Sequence, residues 1–351
     1  MTSSGTATRS APWVVVGLDN GGTSNNATVL TAGGDFLVDR LIEVPSRVTE
    51  GTAVAVDAML SALETVLEAT GTARSAVRAV GLDTPGPASA DGVISARGAT
   101  NFSDPEWWGF DVRGALEAKL GLPVVYNNDG NAAALYAHHE HFGADSTHRS
   151  SVSAIVGTGL GGGVVERGQV VRGAAGMAGE LGHISIPLDG LLGADQPVPQ
   201  CNCGNAGDAE SVASLTGIVK NLLPYWLTRY PDHPLTEVPL ATAAKAVRGL
   251  AEKGDELALS LFAQQAMAIG RLFTIASMFT DPHAYFVGGG VVETEPEFRE
   301  WFVGQVLAAT DLREEQAAVA TIGLIPHLDM AGARGAAVAA LAVARRDPVD
   351  S

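Results

Sequence analysis

The chain has 351 residues, 46% hydrophobic and 17% charged, the balance of a soluble globular protein long enough for two domains with separate cores. Its net charge of −17 opposes nucleic acid and anionic membranes, so an anionic ligand has to be held locally by backbone amides, metal ions or helix ends. No apolar run reaches the length of a membrane span and residues 1–12 lack the apolar stretch of a signal peptide, which predicts a cytoplasmic chain behind a short disordered tail.

Residues 13–19 form an apolar run that turns at Gly21-Gly22 into 27–30 and again at Gly33-Gly34 into 36–44. Three β-type runs joined by glycine turns predict an antiparallel meander. Apolar residues at Ala55, Met59, Leu60, Leu63 and Leu67 predict a helix over 53–68. A strand (79–82), a helix (112–120) and a strand (124–126) follow, which makes an α/β domain with a mixed sheet. The pattern then restarts: a strand at 151–156, a glycine turn at 157–163 and a hairpin around Glu166-Arg167-Gly168. Helical stretches at 211–226, 240–253 and 255–279 come next, then a strand at 284–287, a helix at 297–308, a strand at 321–325 and an alanine-rich helix at 335–345. Two halves that each open strand, glycine turn, strand predict a duplicated fold with a central cleft. The boundaries read as a tail 1–12, an N-terminal domain 13–127 completed by the C-terminal helix 331–347, and a C-terminal domain 128–330.

The glycine turns carry the first chemistry. In Asp19-Asn20-Gly21-Gly22-Thr23 the glycines let backbone N–H groups approach an oxyanion, Asp19 can hold Mg²⁺ and Thr23 can donate to a phosphate; a plain hairpin turn is the other reading. Five glycines in the seven residues 157–163 exceed what one hairpin needs, which favours a phosphate cradle. Gly288-Gly289-Gly290 is a third such turn. There is no G-x-x-x-x-G-K-[ST] loop, and only four lysines occur in the chain, so backbone amides must carry much of any phosphate contact. Asn127-Asn128-Asp129-Gly130-Asn131 places a carboxylate between a strand and a helix, where it can act as a base or as a helix cap. Cys201 and Cys203 are the only cysteines, and a C-x-C pair in a cytoplasmic chain points to metal.

With these motifs the chain resembles the ROK family of sugar kinases, within the hexokinase, actin and Hsp70 superfamily, from residue 14 to 344. The resemblance implies an α/β, two-domain actin-like ATPase (ribonuclease H-like) fold. It implies that Asp19, Gly21, Gly22 and Thr23, with Thr158, Gly159, Gly161 and Gly162, contact the phosphates of ATP and that Gly288, Gly289 and Gly290 border the adenosine. The family's N-D-x-N motif implies Asp129 as general base and Asn128 as a sugar contact. Its E-x-G-H motif, here Glu180-Leu181-Gly182-His183, implies sugar contacts by Glu180 and sugar or metal contacts by His183. Asn101, ahead of Trp107, and the loop 84–87 match segments that line the sugar pocket.

Residues 201–210 resemble the family's zinc signature C-x-C-G-x-x-G-C-x-E, with Asp208 in place of the third cysteine. The resemblance implies structural zinc on His183, Cys201 and Cys203, and a carboxylate such as Asp208 can complete a tetrahedral site. Glu210 matches a sugar-contacting position, and the connection 184–200, within the loop 183–210, is longer than the family's usual one. The implied activity is transfer of the γ-phosphate of MgATP to a hexose, glucose first, with another hexose, an N-acetylated amino sugar or a non-catalytic sugar-binding regulator as alternatives. The family's repressors carry a helix-turn-helix before this point, and 18 residues precede Asp19 here. The expected partners are hexose and ATP in a homo-oligomer (dimer or tetramer), without nucleic acid or membrane.

Overall fold

The structure, a computed structural model, describes residues 13–86, 88–95, 102 and 104–346. Its contacts divide into two compact units, one running through Ala132 and resuming at Gly332, the other Ala133–Ala331.

In the first unit β1 (Val14–Asn20) is the middle strand of five, in the order β3-β2-β1-β4-β5. β2 (Ser24–Thr31) and β3 (Glu43–Pro45) continue from it antiparallel, while β4 (Val77–Thr84) and β5 (Val124–Asn128) lie parallel on its other side. The third run of the meander is shorter than the sequence predicts: Phe36 makes an isolated bridge to Leu30, and regular pairing resumes at Glu43. Asp35 and Asp39, on either side of that bridge, are poor strand formers.

Side chains alternate across a strand, so the two faces of this sheet differ. Val16, Leu18, Val80 and Leu82 pack with Val56, Met59 and Leu63 of α1 (Thr52–Thr70) and with Leu116 of α2 (Val112–Leu120) in one core. α1 ends at Gly71, whose φ of 64° lets its N–H return to the Leu67 and Glu68 carbonyls. The opposite face presents Gly17 and Gly81 to a helix from the other end of the chain, α10 (Leu328–Arg346). A Cβ on Gly17 would run into the Ala333 carbonyl, and one on Gly81 into the Ala336 carbonyl. Gly335 of α10 lies as close to the Ala132 carbonyl of α3 (Asp129–Phe142). Missing side chains, rather than unusual φ, allow backbone to rest on backbone here.

The second unit repeats the strand plan. β6 (Ser150–Val156) pairs antiparallel with β7 (Leu160–Glu166), which pairs with β8 (Gln169–Val170); β9 (Ala284–Gly289) and β10 (Thr321–Leu324) lie parallel on the other side. The predicted helix 211–226 is broken into α4 (Leu215–Gly217), a π turn (Ile218–Leu222) and α5 (Leu223–Arg229), with Pro224 at the start of α5. α6 (Leu240–Ala251), α7 (Glu256–Thr280), α8 (Pro296–Ala309) and α9 (Glu314–Ala317) complete the unit. α7 is capped by Asp255, whose carboxylate accepts the Ala258 N–H at 2.9 Å. By length and composition α7 is apolar enough to cross a membrane, which the run-by-run reading missed because Gln264, Gln265 and Arg271 interrupt it; 61% of that stretch is buried inside the unit. Leu261, Ile269, Leu272 and Phe273 from it meet Val152, Tyr285 and Phe302 in the core.

Candidate functional site

In the first unit, three parallel strands end side by side. Asp19 is in register with Asp83, and Asp83 with Asn127. Ligands of open α/β sheets bind outside such carboxyl ends. The turn after Asp19 is closed by the Gly21 N–H on the Ser24 carbonyl at 2.9 Å, and Asn26 donates to Asp19 Oδ2 at 3.2 Å. Gly22 and Thr23 complete that turn, with Thr23 exposed. At the end of β5, Asn128 Oδ1 accepts the Asn131 N–H at 2.8 Å, which makes Asn128 the cap of α3. Capping therefore falls to Asn128, and Asp129 stands in the first helical turn with an exposed side chain whose Oδ1 accepts the Gly130 N–H at 2.8 Å.

Sequence reasoning missed Asp83. Its side chain is fully buried, and neither carboxylate oxygen meets an N–H or O–H donor among the described residues. Burial pushes its pKa well above the usual carboxylate range, and the charges of Asp19 and Asp129 push it further. Burial also raises Asp19, against the lowering effect of the Asn26 hydrogen bond. The signal was an acid directly after the apolar run 79–82, but its meaning depends on the strand register. Asn101 lies outside the described residues.

In the second unit, β6 turns at Gly157-Thr158-Gly159 and β7 starts at Leu160, so Gly161 and Gly162 belong to the strand rather than to the turn. Gly162 is paired with Ala154, and a Cβ there would meet the Ser153 carbonyl. The turn is held from α4: the Gly157 carbonyl accepts the Leu215 N–H at 3.0 Å, and the Thr158 carbonyl accepts the Thr216 hydroxyl at 2.8 Å. Glu210 holds its other side, accepting the Leu160 N–H on Oε2 at 2.9 Å. That carboxylate occupies the space a Cβ of Gly159 would need. On β9, Gly289 has φ 98° and rests against the Val156 backbone, and Gly288 and Gly290 flank it.

Glu180 directly precedes a short 3₁₀ turn, Leu181–His183. The turn and the residues after it pair with 207–210: Glu210 N–H donates to the Gly182 carbonyl at 2.8 Å, and Ala209 N–H to the Ile184 carbonyl at 3.0 Å. This pairing carries His183 to Asp208, with Nδ1 to Oδ2 at 3.5 Å. Cys203 Sγ lies 3.5 Å from the same Oδ2, and Cys201 Sγ lies 3.8 Å from His183 Nδ1. All four ligand atoms fall within 4.8 Å of one another. Zinc bonds of about 2.0–2.3 Å give tetrahedral edges of roughly 3.3–3.8 Å, so the donor set fits zinc in chemistry and in spacing. Cys201 also donates to Glu210 Oε1 at 3.4 Å, and Glu210 thereby links this loop to the glycine turn. Burial, with the neighbouring Asp208 carboxylate, raises the Cys201 thiol pKa.

A cavity of about 350 Å³ opens beside the same turn, lined by Val156, Gly157, Ile218, Phe262, Gly290 and Val291 among others. Lys245 and Arg248 of α6 reach it, and Arg248 donates to the Gly290 carbonyl at 2.6 Å. Apolar walls with a few polar groups are the usual lining of a small-molecule pocket. These two bases went unremarked in the sequence, although one of only four lysines lies three residues from an arginine there.

The family model for the ROK family matches residues 15–343. The chain belongs to the ROK family. One relative, a glucokinase of Halalkalibacterium halodurans, is 34% identical over 282 residues, spanning 79% of this chain and 80% of that one. A ROK hexokinase from Thermus thermophilus superposes with a TM-score of 0.75 at 30% identity, covering 95% of this chain and all of that one. A ROK glucokinase from Streptomyces griseus, in complex with glucose and AMPPNP, superposes with a TM-score of 0.65 at 27% identity, again over 95% of this chain and all of that one. The fold is accordingly α/β, of the two-domain actin-like ATPase type, with one five-stranded mixed sheet in each unit.

Proposed function

We propose that this chain is an ATP-dependent sugar kinase that phosphorylates a hexose hydroxyl, glucose before others. The observation that carries the reading is the exposed Asp129 carboxylate at the carboxyl end of β5, relieved of helix capping by Asn128. Phosphoryl transfer asks a protein for positioning, charge neutralisation and a base for the nucleophile. Asp129 takes the proton of the attacking hydroxyl, and Asn128, Glu180, His183, Glu210 and Asn101 contact the sugar. The Asp19–Thr23 turn, Thr158 and Gly159, with Gly161 and Gly162 behind them in β7, serve the phosphates. The cavity at Gly157, Arg248 and Gly290 suits the adenosine bordered by Gly288, Gly289 and Gly290. The glucose and glucose-plus-nucleotide relatives support this choice of substrates.

Magnesium bound with ATP, facing Asp19, supplies charge neutralisation. Zinc on His183, Cys201, Cys203 and Asp208 supplies a structural clamp on the loop that presents Glu210. We further read the two units as the N- and C-terminal domains of the kinase, working in the cytoplasm as a dimer or tetramer without nucleic acid or membrane partners. The test is an ATP-coupled assay over a panel of glucose, mannose, fructose and N-acetylated amino sugars. Wild type is expected to turn over glucose best, and Asp129→Ala to lose about 10²–10⁴-fold in kcat while remaining folded. Undiminished turnover in Asp129→Ala removes Asp129 as the base; a wild type inactive on the whole panel favours a non-catalytic sugar-binding protein.

A further inference from the structure

Asp83 is a fully buried carboxylate with no N–H or O–H donor on either oxygen among the described residues. The group it faces is another carboxyl, that of Asp19, its register partner on the neighbouring parallel strand. Paired residues of parallel strands point to the same face, so the two acids stand side by side at the strand ends. Neither is able to turn away at no cost. Asp83 is enclosed, while Asp19 is held by Asn26 on Oδ2 and backed by α10, where a Cβ on Gly332 would come within 2.9 Å of Asp19 Cγ. A buried anion without donors is costly unless something positive lies against it.

We propose that Asp83 and Asp19 together form a divalent-cation site, of magnesium or manganese type, that binds without nucleotide. Such cations take one or two carboxylates and complete their octahedron with water or phosphate oxygens, at bond lengths near 2.0–2.1 Å. Asp83 closes the inner side of the site, and the partly exposed Asp19 leaves the outer side open. The cation accordingly waits at the turn before ATP arrives, instead of entering only as MgATP. This extends the Asp19 part of the functional reading, but it stands apart from which sugar is phosphorylated or whether one is.

The test uses the full chain carrying one equivalent of zinc, titrated with MnCl₂ and followed by electron paramagnetic resonance, with neither nucleotide nor sugar present. Wild type is expected to bind one Mn²⁺ that excess Mg²⁺ displaces, and Asp83→Asn and Asp19→Asn each to bind it at least about tenfold more weakly. Thermal unfolding supplies a second readout: MgCl₂ raises the midpoint of wild type but not that of Asp19→Asn, and a wild-type midpoint unmoved by MgCl₂ overturns the nucleotide-free site even if Asp83→Asn fails to fold. A wild type that binds no Mn²⁺, or an Asp83→Asn that binds it as tightly as wild type, overturns the site and leaves the two acids sharing a proton. Because no substrate is present, either result leaves the kinase reading where it stood.

Discussion

Asp208 is the buried member of the His183, Cys201, Cys203 cluster, and the other three are exposed or partly so. Its two oxygens are divided: Oδ1 accepts the Ser211 N–H at 2.8 Å, while Oδ2 faces His183 and Cys203. The carboxylate is thus anchored to backbone before any metal binds, which suits a ligand that replaces a stronger thiolate. We expect Asp208→Ala to weaken zinc on the order of tenfold or more, and Asp208→Cys to keep zinc at chelator concentrations that strip wild type. Competition with a chromophoric chelator measures both. If Asp208→Ala holds zinc as wild type does, the carboxylate is a spectator. A sequence motif reported that a cysteine was missing here, but only the pairing of 182–186 with 207–210 reveals which oxygen takes its place.

Among the elements, α10 is the one whose role its composition most understates. It is built largely of alanine and glycine, which reads as a helix of little consequence, yet it lies directly on β1, β4 and α3 through Gly17, Gly81 and Gly335. Gly81→Ala would drive a methyl group into the Ala336 carbonyl, with backbone on both sides and no flexible side chain to yield. The expected loss is about 1–3 kcal/mol or more, read as a shift in the urea midpoint at unchanged slope. Gly249→Ala, with open space around it in α6, is the control and should stabilise or leave the midpoint unchanged. A midpoint for Gly81→Ala equal to wild type would mean that the helix moves aside freely. Element positions were largely legible in the sequence, since glycine turns and apolar periods are local signals. Contacts such as Gly81 to Ala336, Asp83 to Asp19 or Glu210 to Leu160 were not, because they join residues that nothing local relates.

For the whole molecule, one enclosed imidazole makes a distinct contribution to acid sensitivity. His138 Nε2 faces the Ser146 carbonyl at 2.8 Å, which can only accept, so Nδ1 is left to accept from the Ser151 hydroxyl, also at 2.8 Å. Burial disfavours the charged ring and lowers its pKa to about 4. In the unfolded chain it titrates near 6.5, so the unfolded state binds the extra proton first as pH falls. The stability held by neutral His138 is complete above about pH 6.5 and is lost on the way down to about pH 4, with a slope of at most about 1.4 kcal/mol per pH unit. Urea unfolding at pH 7 and pH 5 should reveal that difference in wild type and a smaller one in His138→Gln; equal differences in the two would assign the acid sensitivity elsewhere. The family and its duplicated plan were readable from motifs spread over the whole length, whereas this histidine, on an alanine-rich helix among other histidines, carried no mark of its environment. The return of α10 to the first unit also has a bearing on how the protein is made. A ribosome delivers β1 and β4 before the second unit and α10 after it, at about 5–20 residues per second. The second unit is contiguous and can close as it emerges, while the glycine face of the first sheet stays bare until α10 has followed that whole unit. The unit that is begun before the other is therefore completed after it.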